Sequence, residues 1–210
     1  ARSITTTYAY DRLNRVTQRT YTNEPSGSDT PDVTYYYDDL TNAKGKLTKV
    51  SSSVSTTEYT SFDILGRVTG HKQKTDGVDY TTGYTYKLNG ALDEETYPSG
   101  RVVKNVLDNT GDLSIVQSKK NSASGYWHFA DSFTYNAAGA VTSMQLGNGR
   151  WESTQFNSRL QPTQIALGST NTATDLLKLN YTYNTTATTA ADITRASITD
   201  VRDPKSPATV

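Results

Sequence analysis

Cysteine is absent from this 210-residue chain, and there is a single methionine. No disulfide framework, thiolate metal site or cysteine nucleophile can be built from it. Histidine is nearly as scarce: His71 and His128 are the only two, far apart in the chain. Metal or triad chemistry needs histidine grouped with carboxylates or other histidines, and no such grouping is visible in the sequence. No apolar run approaches the ~18–20 residues of a membrane-spanning helix. The opening "ARSITTTYAY" has neither a start methionine nor the apolar core of a signal peptide. Neither sign of charge is in excess, with 21 basic against 21 acidic residues and no basic block. That excludes the clustered cationic surface that nucleic acid or an anionic membrane requires.

What is present is strand material. Hydrophobic residues make up only 34% of the chain and the mean hydropathy is −0.66, yet there are 15 tyrosines, with abundant threonine and valine. A disordered chain would be poor in aromatic and β-branched residues; enrichment in them favours strands.

A phrase recurs along the chain: "YAYDRLNRVT" at Tyr8–Thr17, "YTSFDILGRVTG" at Tyr59–Gly70 and "FTYNAAGAVT" at Phe133–Thr142. Aligned on the residue after the second aromatic, anchors fall at Asp11, Asp38, Asp63, Lys87, Asp108, Asn136, Asn157 and Asn184. The spacing averages roughly 25 residues, as a repeat with variable loops would give. Before each anchor stands Tyr10, Tyr37, Phe62, Tyr86, Leu107, Tyr135, Phe156 or Tyr183. Two residues earlier come Tyr8, Tyr35, Thr60, Tyr84, Asn105, Phe133, Thr154 and Tyr181. Period-two spacing puts both positions on one face of a strand. Three residues after the anchor lies Gly66, Gly90, Gly111 or Gly139, with Asn14 in the first repeat. These residue types tolerate positive φ. An aliphatic follows two residues on: Val16, Val68, Leu92, Leu113 or Val141.

The phrase therefore reads as a hairpin. A strand ends on the aromatic, Asp or Asn caps the turn, Gly supplies the positive φ, and the return strand starts on an aliphatic. A second set of turns, "TDGV", "YPSGR" and "LGNGR", falls about midway between anchors. Two repeats depart from the pattern. The second carries the insertion "YYYDDLTNAKGKL", which delays its glycine to Gly45; the seventh, "FNSRLQP", reads as lacking both the glycine and one residue. Residues 1–201 are expected to form one region of about eight repeats, continuing beyond both ends, with 202–210 as a tail.

Laid out in this way, the chain resembles the YD-repeat, or Rhs, family, whose signature is Tyr-Asp, then glycine, often Gly-Arg as in Gly66-Arg67, then an aliphatic. The resemblance spans about Tyr8 to Tyr183 and implies a long β-sheet spiralling into a shell. In that family such shells enclose a C-terminal toxin or form part of a cell-surface adhesion receptor. The expected fold is accordingly all-β: a repetitive antiparallel β-meander of roughly sixteen strands, forming a curved, open spiral sheet, a partial YD-repeat shell. The expected function is a structural wall segment of a secreted or surface-exposed bacterial protein. Its partners would be the remaining repeats and the cargo of a larger parent chain, with edge-to-edge self-association at unpaired strands. The reading from another class is a carbohydrate- or receptor-binding adhesin module, for which Tyr126, Trp127 and Trp151 are the candidate ligand patch.

Chemistry is otherwise sparse. The carboxylate pairs Asp38/Asp39 and Glu94/Glu95 point to opposite strand faces, so neither is a catalytic dyad by itself. "DNTGD" at Asp108–Asp112 lacks the spacing of a calcium loop and is the repeat's own turn. Ser99 in "YPSGR" does not sit in a nucleophile elbow. The Asn-x-Thr triplets at Asn180 and Asn184 match a glycosylation pattern by chance. No catalytic residue, metal or cofactor is expected, and no membrane insertion.

Overall fold

The computed structural model describes residues 4–27 and 29–183, together with the backbone of 195–200. Anchor Asn184 and the tail at 202–210 lie outside the described residues. Among the described residues there are sixteen strands and no helix. They are β1 (Thr5–Tyr10), β2 (Val16–Thr22), β3 (Val33–Tyr37), β4 (Leu47–Ser51), β5 (Ser55–Phe62), β6 (Val68–Thr75), β7 (Val78–Tyr86) and β8 (Leu92–Thr96). The second half contains β9 (Val102–Leu107), β10 (Leu113–Lys119), β11 (Trp127–Tyr135), β12 (Val141–Leu146), β13 (Trp151–Phe156), β14 (Pro162–Gly168), β15 (Leu177–Tyr183) and β16 (Arg195–Asp200). Hydrogen-bonding order is chain order, an open antiparallel meander. The chain divides into two compact units, Ala1–Val102 with Lys120–Ser122, and Val103–Lys119 with Ala123–Val210.

The anchor turns have one geometry. In the third repeat the Gly66 N–H donates to Asp63 O, the Asp63 N–H donates to Arg67 O, and Gly66 has φ 72°. The Asp63 carboxylate caps the turn by accepting from the N–H groups of Leu65 and Arg67, both at 2.9 Å. This is a type I turn closed by a left-handed residue, a common three-residue hairpin loop. The equivalent residues Asn14, Gly90, Gly111 and Gly139 also have positive φ.

The seventh turn is a correction to the sequence reading. It is missing no residue: the Leu160 N–H donates to Asn157 O, the Asn157 N–H to Gln161 O, and Leu160 itself takes the left-handed site at φ 61°. Pro162 then opens β14 opposite Phe156, where the aliphatic stands in other repeats. The ladder and the Asn157 cap hold a residue that disfavours this conformation by about 1–2 kcal/mol. Leu160→Gly should therefore stabilise the protein by about 1 kcal/mol. Urea unfolding measures this, and a neutral or negative change would contradict it.

The anchor hairpins β1–β2, β3–β4, β5–β6, β7–β8, β11–β12, β13–β14 and β15–β16 each carry a bulge beside the rung aromatic. Tyr10 pairs with Val16 but Ala9 pairs with Gln18, leaving Thr17 as the extra residue. Thr48, Thr69, Asp93, Thr142 and Thr163 hold the same place in later hairpins. The threonine of "GRVT" and "GAVT" is thus the bulge residue, whose role is to kink and twist the return strand. In two hairpins its hydroxyl bonds across the pair, Thr69 to Ser61 and Thr142 to Thr134, each at 2.8 Å.

A second bulge corrects the position assigned to Thr60. The register shifts between Tyr59 and Ser61, so Tyr59 rather than Thr60 is the same-face partner of Phe62, with ring centroids 6.4 Å apart. Tyr8 with Tyr10 and Phe133 with Tyr135 reach similar separations by plain alternation. Burial is uneven along the rungs. Phe62 is buried at 9% exposure, Tyr37, Tyr86, Tyr135, Phe156 and Tyr183 are half-buried, and Tyr10 on β1 is 55% exposed. No large side chain is fully buried among the described residues.

Candidate functional site

The groups that recur in register lie between repeats. The Tyr37 phenol donates to Val16 O at 2.9 Å, Tyr86 to Val68 O at 2.8 Å, Tyr135 to Leu113 O at 2.7 Å and Tyr183 to Pro162 O at 2.8 Å. Each donor closes the outgoing strand of one repeat. Each acceptor is the first residue of the preceding repeat's return strand, and Val16, Val68 and Pro162 stand beside a bulge where the ladder is interrupted. Phe62, Leu107 and Phe156 hold the rung in the intervening repeats and have no hydroxyl to donate. The phenol lock therefore occurs at every second junction, and the structural unit is a pair of repeats. The signal was in the sequence, as alternation of Tyr with Phe or Leu among the rungs from Tyr37 onwards.

Arginine reinforces two of these junctions. Arg15 Nε pairs with the Asp11 carboxylate at 2.7 Å, its Nη2 reaches Asp38 at 2.7 Å, and its guanidinium lies 4.3 Å from the centre of the Tyr37 ring. Arg67 pairs with Asp63 at 2.6 Å and lies 4.4 Å from the Tyr86 ring. A flat guanidinium suits both duties at once, the carboxylate in its plane and the ring on its face. The Arg of "Gly-Arg" thus joins its own turn to the next repeat.

These contacts hold the turn carboxylates below the usual range. For Asp11 the main cause is the Arg15 N–H, and for Asp38 it is the Arg15 guanidinium. For Asp63, desolvation pushes upwards, but the Arg67 N–H and guanidinium outweigh it. A depressed carboxylate contributes stability that is present above its unfolded pKa and is lost as pH falls through the folded one. The two arginine-reinforced junctions are accordingly acid-sensitive.

His128 departs from the sequence reading, which gave it no carboxylate partner. Its Nδ1 lies 2.8 Å from the Asp131 carboxylate, brought near where Ser132 bends the strand at φ 56°. Ser132 Oγ donates to the other Asp131 oxygen at 2.9 Å. In a catalytic triad the imidazole stands between acid and hydroxyl; here the acid stands between them, so nothing activates the serine. His71 packs against the Tyr59 ring at 5.6 Å. Asp108 accepts from Thr110 and from the Asp112 N–H within its own turn. Among the described residues no three potential metal ligands gather.

The candidate ligand patch is spread out. Trp127, at the start of β11, is 75% exposed, and Trp151 is half-buried. Trp151 stands opposite Gln145, which pairs with Asp131, four residues along β11 from Trp127. Strand geometry then separates the two by roughly 16 Å. Tyr126 lies beneath Lys119, whose ammonium is 4.6 Å from its ring centre. The second unit also has an open groove of about 820 Å³ along β12–β14, bordered by the anchor turns at Asn136 and Asn157 and by the segment around Asn171.

No family model matches the chain, and no curated protein does. Solved structures do. TcdB2-TccC3 without its hypervariable C-terminal region matches 94% of this chain with TM-score 0.77 at 17% identity. TcdB2-TccC3 itself matches 94% with TM-score 0.74 at 17% identity, and a Tc holotoxin pore of Photorhabdus luminescens matches 94% with TM-score 0.75 at 18%. The matched parts are 10%, 11% and 10% of those chains, so this chain spans about a tenth of their length. At such identities the likeness is one of fold alone: those chains contain a sheet that 94% of this open antiparallel meander superimposes on.

Proposed function

We propose that the chain is a non-enzymatic wall segment of a larger, secreted bacterial YD-repeat protein, whose sheet encloses or presents a toxin or other cargo. The observation that carries this reading is the phenol lock. The groups that recur in register, the rung tyrosines and the turn arginines, are committed to holding one repeat to the next. A wall needs this and little else, because a repeat array is stable through nearest-neighbour contacts. The TcdB2-TccC3 fold likeness supports the toxin setting.

The test uses the full parent chain. Each Tyr→Phe change at Tyr37, Tyr86 and Tyr135 should cost about 1 kcal/mol, because a part-buried carbonyl loses its donor. Under limited proteolysis the segments beyond this sheet should survive in the native protein and be cut faster in the triple variant. If they are cut in the native parent as fast as when expressed alone, the enclosing wall is ruled out.

A further inference from the structure

We propose that the groove on β12–β14 is a binding site for a neutral, hydroxyl-rich ligand, of the class of uncharged oligosaccharides. Its volume of about 820 Å³ falls within the usual range for small-molecule sites. Sixteen residues line it and none is charged, where the chain's 20% charged composition would place about three. Charge is not scarce on strands elsewhere: Lys49 and Lys72 both pair with Glu58 in the first unit. The groove is selectively neutral.

Its floor is a register-aligned set of hydroxyls and amides. Ser143 stands opposite Ser153, and Gln155 opposite Gln164. The side chains of Ser153, Gln155, Asn171 and Thr172 make no hydrogen bond within the described residues. Hydroxyls and carboxamides both donate and accept, as sugar hydroxyls do. A charged ligand would be desolvated here without a counter-ion. An extended peptide would need an open strand edge, and β13 is paired on both sides.

The segment at one border is held in place before any ligand arrives. The Ser169 N–H donates to the Asp175 carboxylate at 2.8 Å, and the Leu176 N–H to Leu167 O at 3.0 Å. Gly168 sits so close to the Ala173 carbonyl that any side chain there would collide with it. Binding therefore costs little ordering of the protein.

This proposal does not depend on the wall reading and is tested separately. Saturation-transfer NMR on the whole chain would use maltotriose, cellotriose, chitotriose and mannotriose, with 3′-sialyllactose as the charged comparison. At least one neutral trisaccharide should bind, and sialyllactose should bind no better. The double change Ser153→Ala with Gln155→Ala should weaken binding at least about tenfold with an unchanged melting temperature, whereas Trp127→Ala should leave it intact. Binding by none of the four neutral sugars would overturn the proposal. So would loss of binding through Trp127→Ala alone, or an uncharged Gly-Ser peptide binding in place of the sugars.

Discussion

Replacing Phe62 by alanine is expected to cost about 3–5 kcal/mol of unfolding free energy, the largest loss at any rung. Phe62 is the one buried rung aromatic, at 9% exposure, and it packs against Tyr59. Truncation removes the apolar area and leaves a void that the bulged β5–β6 pair cannot readily close, since its register is fixed by two irregularities. Tyr10→Ala is the control. That ring is 55% exposed on the first strand, so its loss should cost under about 1 kcal/mol. Urea unfolding of both variants decides the matter, and equal losses would mean that the rungs do not form the core.

Gly66→Val should be the next most damaging change, at about 2–3 kcal/mol. Left-handed backbone alone penalises an L-residue by about 1–2 kcal/mol, and β-branching adds to it. A side chain at this site also meets its surroundings, with the new Cβ 3.2 Å from Lys46 Cε and 3.4 Å from Asn42 O. Gly139 has the same backbone sign at φ 80° with nothing within 4 Å. Gly139→Val therefore isolates the backbone strain, and Gly66→Val should exceed it. If the two variants melt together, crowding at Gly66 contributes nothing.

Much of this fold is legible in the sequence because the repeat states its own geometry. Asp63 and Gly66 at fixed separation specify a capped turn, and the aromatic before the anchor specifies where the strand ends. What was not legible came from one-residue irregularities. Thr60 occupies the alternating position on paper, but a bulge hands that place to Tyr59, and period-two reasoning cannot detect an inserted residue. The seventh turn is obscured for a related reason. Leucine at a left-handed site breaks the residue preference, so the turn looked shortened when only its composition had changed. The candidate site was less legible still. The Ser143–Ser153 and Gln155–Gln164 alignments depend on register between strands, and the pairing of His128 with Asp131 depends on a backbone bend at Ser132. Local composition reports neither.

The phenol locks also have a direction in time. Each reaches backwards along the chain, from Tyr37, Tyr86, Tyr135 and Tyr183 to carbonyls 21, 18, 22 and 21 residues earlier. During synthesis the acceptor has always emerged before its donor, and no lock has to wait for a distant partner. Closing loops of this size is inexpensive and grows only slowly with length. Sheets are ordinarily slow to fold because their pairings are remote in sequence; here each pairing lies with the hairpin just completed. The sheet can thus lengthen behind the ribosome two hairpins at a time, each addition fastened before the next is made, whatever the total length of the chain.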